Sequence, residues 1–249
     1  MQNMKPLLLL LSAIALNAQT PVAFEVATIK PNRSGGGGSS IRGTTGRITM
    51  ENVTLKKVAL WAHGIPDDRE YALAGPDWLS TERFNIQATF PAETPPQQVR
   101  QMTATLLAAR FKLALHRETR QLPIYVLVVA KNGPKIHAAG DGQSRTSGGP
   151  GRIEATRITT QKLADLLAGI TGQQVVDETG IEGGFDFTLE WSPDETQKNG
   201  PPLDGDAVGA SGPSIYSALQ EQLGLKLEGR KGPVEILVVD HIEKAPAEN

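Results

Sequence analysis

Residues 46–65 read GRITMENVTLKKVALWAHGI, and residues 151–170 read GRIEATRITTQKLADLLAGI. Aligned without a gap, the two stretches share eight of twenty positions, among them Gly46/Gly151, Thr54/Thr159, Lys57/Lys162, Ala59/Ala164 and Ile65/Ile170. Each begins with a short run that predicts a strand and continues into a helix. In the first copy Asn52 or Thr54 can cap that helix, Leu55, Val58, Ala59 and Ala62 share one face, and Gly64 stops it. In the second, Leu163, Leu166, Leu167 and Ile170 fall at i, i+3, i+4 and i+7. A strand joined to a one-sided helix must bury that side against a sheet.

Working outward, the same order of elements surrounds both copies. In the first half, period-two alternation predicts strands at 24–30 (FEVATIK) and 84–90 (FNIQATF), with a short one at 71–73. Thr94-Pro95-Pro96 opens a helix with Val99, Met102, Leu106 and Ala109 on its buried stripe. Runs at 111–116 and 124–130, separated by the polar segment 117–121, predict a hairpin. In the second half, strands are expected at 174–176 and at 185–191 (FDFTLEW), the latter matching 84–90 in pattern. Pro213 or Ser214 opens a helix carrying Ile215, Ala218, Leu219 and Leu223, and 233–239 (PVEILVV) echoes 123–129 (PIYVLVV). The expectation is an α+β fold of two similar β-α-β-β-α-β-β halves from an internal duplication, mainly antiparallel sheets covered by helices. The first half-domain takes residues 19–139 and the small, polar stretch 140–151 is a linker; the second takes 152–249, with a Gly/Pro-rich insertion at 194–212. One copy buries little apolar surface, so the halves should pack together, or their sheets join, as one pseudo-symmetric unit.

Composition narrows the class. The chain has 249 residues, 39% of them hydrophobic and 21% charged, as in ordinary globular proteins. Lys5, the apolar run 7–16 and Leu16-Asn17-Ala18-Gln19 read as a secretory signal over residues 1–18, which implies a periplasmic or extracellular location and no stable membrane span once it is removed. The alternative, an N-terminal anchor, calls for about 20 apolar residues. The absence of cysteine excludes disulfides, thiol nucleophiles and thiolate metal sites. Without Lys5 the balance is 24 Lys+Arg against 27 Asp+Glu, a net charge of −3, which disfavours nucleic acid as a partner.

Catalytic, cofactor and metal constellations do not emerge from the sequence. His63, His116, His137 and His241 lack the i, i+4 spacing of a helical zinc site. The SGGGGSS stretch at 34–40 lacks the Gly-Lys-Ser/Thr of a phosphate loop, and Ser211 lacks the strand-turn-helix setting of a nucleophile. Ligand or partner contacts are expected instead at Trp61 and His63, present only in the first copy, at Trp78 in its Gly-Pro-Asp-Trp turn, and at Asp186 and Glu190 on the polar face of one strand.

Several segments together carry a family resemblance: FEVATIKPN at 24–32, GPDWL at 75–79, RFKL at 110–113, HRET at 116–119, VDETG at 176–180, FDFTLEW at 185–191 and ALQEQLGL at 218–225. In this order they resemble an uncharacterised exported family expanded in soil acidobacteria. Related domains occur attached to membrane metallopeptidases similar to beta-lactam sensors, so the resemblance implies a sensing or binding module outside the cytoplasm. More weakly, residues 47–65 are similar to the strand-helix interaction domains of secretins and TonB-dependent receptors. The expected function is a non-enzymatic, exported module that binds an envelope protein or small ligand. The alternative is a hydrolase of envelope or extracellular polymer with its site between the halves.

Overall fold

The computed structural model describes residues 22–34, 38–66, 68–193 and 212–247. The expected signal, the centre of the glycine loop and nearly all of the 194–212 insertion lie outside these residues. The first half contains β1 (Val26–Pro31), β2 (Ser40–Thr44), β3 (Arg47–Thr54), α1 (Leu55–Ala62), a 3-10 turn (Glu70–Ala72), β4 (Leu73–Ala74), α2 (Trp78–Thr81), β5 (Arg83–Thr89), α3 (Pro96–Phe111) and β6 (Ala114–Val129). The second contains β7 (His137–Ala138), β8 (Arg145–Gly149), β9 (Arg152–Ile158), α4 (Thr160–Thr171), β10 (Val175–Asp177), β11 (Phe185–Glu190), α5 (Ile215–Ala218), a π-helical turn (Leu219–Leu223) and β12 (Leu225–His241). The fold is α+β with mainly antiparallel sheets, as expected.

Two outer sheets have the same layout. One is ordered β1-β5-β3-β2 and the other β7-β11-β9-β8, and all their pairings are antiparallel. Positions 105 residues apart do the same work in each. Thr54 and Thr159 cap α1 and α4 by accepting from the N–H of Lys57 and Lys162. Gly46 and Gly151, with φ of 74° and 82°, turn the hairpins and accept from the N–H of Phe90 and Trp191. Asn52 and Arg157 are left-handed, with φ of 52° and 53°.

Between them lies a central sheet ordered β10-β6-β12-β4, and here the expected hairpins are corrected. Residues 114–129 form one continuous strand that pairs antiparallel with the equally continuous 225–241. The polar segment 117–121 keeps the strand alternation, so it continues the ladder instead of turning. Strand β8 occupies residues 145–149 of the expected linker 140–151. Each short strand crosses over: β4 pairs in parallel with β12, and β10 with β6. The halves are thus joined by exchanged strands.

Each long strand serves two cores. Ile48, Met50, Leu55, Leu60, Phe84, Leu107 and Phe111 pack in the first with Leu237 of β12. Leu163, Leu167, Leu189, Ile215 and Leu223 pack in the second with Tyr125 and Leu127 of β6. The opposite face of the central sheet buries Ile124, Val126, Val234 and Ile236, flanked by the pairs Glu118–Arg120 and Glu228–Arg230. A constant spacing of 110 relates Glu118 to Glu228, Arg120 to Arg230 and Pro123 to Pro233. It also relates Leu122 to Gly232, its own ladder partner, so the relation is centred on that pair.

Candidate functional site

The five contact residues expected from sequence do not converge. Trp61 and Trp78 are half-buried against the first core, and the Arg100 guanidinium lies 5.7 Å from the Trp61 ring centroid. Their area serves packing. His63 closes α1; burial, and secondarily the charge of Arg117, push its pKa below the ordinary 6.5. On β11, Asp186 Oδ1 accepts from the backbone N–H of Arg157 at 2.8 Å, and Glu190 pairs with Arg152. Both carboxylates on this strand therefore have structural partners.

Between the halves lies a cleft of about 290 Å³, lined among others by Arg69, Tyr71, Arg117, Asp165, Gln174 and Glu235. Asp165 is held by Arg69 at 2.9 Å, and Glu235 by Arg117. Arg117 and Glu235 stand on β6 and β12, and the loop bearing Arg69 docks on α4, where Gly169 leaves room for the Asp68 carboxylate. Burial raises the pKa of Tyr71, keeping its phenol protonated. Two ion pairs bridge the halves here, and each carboxylate already has its cation. Among the described residues, no group of three His, Asp or Glu is placed to hold a metal.

A different site lies at the open edge of the second outer sheet. Strand β8 is exposed along its whole length and, among the described residues, has one ladder neighbour, β9. Beside it runs a groove of about 440 Å³, bounded by Thr146 to Pro150, by Ile153 of β9, by Leu166 and Ile170 of α4, and by Trp191. The groove exists because α4 returns along β9 from its Thr159 cap and turns Leu166 and Ile170, one helical turn apart, toward the β8 side. Chemically it offers a strand edge that is unpaired among the described residues, above an apolar floor. Sequence reading missed it because β8, Arg-Thr-Ser-Gly-Gly, has linker composition. The available signal was Gly43/Gly148, which carries the repeat upstream of Gly151 into β2 and β8.

Two outer sheets of one layout, joined through a central sheet of exchanged strands, with a groove beside the edge strand β8, define an α+β protein. The chain belongs to the family described as protein of unknown function DUF3738, whose model matches residues 29–242. No curated protein and no solved structure matches it. Among the described residues, no helix is long and apolar enough to cross a membrane.

Proposed function

We propose that this protein is an exported, non-enzymatic interaction module, formed by duplication of one sheet-and-helix unit, whose second half binds a partner in the periplasm or at the cell surface. The observation that carries the reading is the exposed β8 edge lying over the Leu166/Ile170/Trp191 groove. An unpaired edge offers backbone donors and acceptors to another chain, and an adjacent apolar trough supplies selectivity. Export rests on the apolar run at 7–16 and the small residues that follow it. Equivalent caps, turns and bulges at a spacing of 105 support the duplication. The rival reading, a hydrolase acting in the cleft between halves, has in its favour the carboxylates Asp165 and Glu235 there.

A photo-crosslinking residue placed at Ser147, with a control at exposed Lys231 on the central sheet, tests this in cells that export the protein. Adducts at Ser147 well above the control are expected. Adducts at background, together with turnover of envelope polymer that is lost in Asp165→Asn, would hand the case to the hydrolase. Mass spectrometry of the exported protein should find its N-terminus near residue 19.

A further inference from the structure

The solvent faces of the two outer sheets carry the same arginine in opposite settings. Arg47 and Arg152 are identical positions of the repeat, 105 residues apart, and each faces solvent, since the next residue of its strand, Ile48 or Ile153, is buried. Arg152 is held between two glutamates: Glu190, its ladder partner on β11, and Glu154, two residues along β9. The ladder partner of Arg47 on β5 is Thr89, and the residue two along β3 is Thr49. Hydroxyls thus replace both carboxylates, and among the described residues Arg47 makes no ion pair.

The neighbouring edge strand widens the contrast. Ser147 of β8 stands opposite Glu154 and its Oγ donates to that carboxylate at 3.5 Å, whereas the equivalent residue of β2, opposite Thr49, is Arg42. At these four equivalent positions the second half has one arginine, two glutamates and a serine, net −1, and the first half two arginines and two threonines, net +2. Arg42 and Arg47 are both exposed, with Cα atoms about 8 Å apart by strand geometry. Lys30 of β1 adds a third exposed cation, and Glu51 is the one carboxylate on the strand positions of this face. Thr28, Gln87, Thr49 and Arg42 form one polar row across all four strands. The one large apolar side chain on these positions is Val26, whereas a protein interface draws its affinity from apolar and aromatic anchors.

We infer that this face is a second binding surface, separate from the β8 groove, and that it takes an acidic polysaccharide whose uronate carboxylates pair with Arg47 and Arg42 as Glu154 and Glu190 pair with Arg152. The second half supplies the chemistry of the missing group: a carboxylate on a guanidinium fork. Hydroxyls and a carboxamide lie between the cations, as sugar hydroxyls require. Cations spread over several rungs call for repeated charges on the ligand, hence a polymer. This surface stands or falls independently of the β8 edge.

Polygalacturonate and alginate, both uronate polymers, are titrated by calorimetry into the full-length protein at low ionic strength, with amide chemical shifts as the map. Binding should shift residues 42–49 and 87–89, leave 145–149 unmoved, and weaken as salt rises. Methyl-esterified polygalacturonate, the same sugar chain without its charge, should not bind. Arg47→Gln and Arg42→Gln should each weaken binding about fivefold. Thr49→Glu with Thr89→Glu, which gives Arg47 the carboxylates that Arg152 has, should abolish it, whereas Thr49→Gln with Thr89→Gln, of the same bulk, should keep it. Failure of both uronate polymers to bind overturns the inference, as does binding that ignores esterification or survives Thr49→Glu with Thr89→Glu. Polyglutamate or duplex DNA binding as tightly as the uronates would make this a general polyanion surface and overturn the sugar assignment.

Discussion

The backbone N–H of Arg157 donates to Oδ1 of Asp186 at 2.8 Å across the second outer sheet, and the backbone N–H of Asn52 donates to Oδ1 of Asn85, also at 2.8 Å, across the first. Both donors sit at left-handed positions beside register shifts between β3 and β5 and between β9 and β11. A left-handed residue in a strand breaks the ladder and strands its N–H, and an Asx side chain on the neighbouring strand captures that donor. The strand then re-aims into the helix that follows. Asp186 is thereby a fold-determining residue, though its sequence setting read as a surface contact.

The acceptor needs an oxygen, not a charge, since Asn85 does the same work. Asp186→Asn should leave urea unfolding nearly unchanged, whereas Asp186→Ala should cost about 0.5–1.5 kcal/mol. An alanine variant as stable as the parent would remove the bulge-capping role.

Gly151 carries a stricter constraint. Its φ is 82°, and a Cβ there would lie 2.6 Å from the carbonyl oxygen of Trp191, whose N–H donates to the Gly151 carbonyl. Gly151→Ala combines left-handed strain with a backbone clash, and a loss of about 1–3 kcal/mol is expected in thermal or denaturant unfolding. At Gly46 the corresponding contact, to the Phe90 oxygen, is 3.2 Å, so Gly46→Ala should cost less. The reverse ranking would contradict the geometry.

The repeat made much of this architecture readable in advance. Identity survives at Gly46/Gly151 and Thr54/Thr159 because a positive φ and a helix cap accept few residue types. Period-two runs located β5 and β11, and helical spacing located α3 and α4. What misled was nonlocal. The segment 117–121 looks like a turn between strands, yet its partner is residues 233–237, more than a hundred positions away, and local composition carries no trace of that pairing. For the site, the informative sign lay in the substitutions Ile41 to Thr146, Met50 to Ala155 and Trp61 to Leu166, where the copies differ in volume. Trp61 and His63 stand out in sequence because only the first copy carries them, and Trp78 because of its Gly-Pro-Asp-Trp turn; in the structure Trp61 and Trp78 pack against the first core and His63 is half-buried at the end of α1.

Edge protection differs between the outer sheets as well. Strand β1 covers β5 from Phe84 to Thr89, while β7 covers only Phe185 and Asp186 of β11. At the far end of β11, Gln222 completes the edge with its side chain: Oε1 accepts from the Glu190 N–H at 2.9 Å, and Nε2 donates to the Glu190 carbonyl at 2.7 Å. The carboxamide thus imitates one rung of a missing strand. Gln222→Ala should lower stability by about 1 kcal/mol and raise self-association at high protein concentration, since a bare edge recruits other edges. Light scattering across a concentration series reads this, and a variant no more prone to associate than the parent would refute the capping role.

His63 sets the last expectation, in pH. Burial, followed by the charge of Arg117, holds its pKa below 6.5, so the folded protein favours the neutral imidazole. Above 6.5 the contribution is fully present, because His63 is then neutral whether the chain is folded or not. As pH falls below 6.5 the unfolded chain takes up a proton before the folded one does, and stability declines until the folded pKa is passed. A separate acid-side decline begins lower, below the ordinary glutamate value of 4.5, where Glu118, Glu154 and Glu228 lose the depression imposed first by hydrogen bonds from Arg120, Arg152 and Lys226. Urea midpoints measured from pH 8 to pH 5 should therefore slope downward in the parent and flatten in His63→Gln, with the more acidic branch unaltered. Equal slopes in the two proteins would place the titrating group elsewhere.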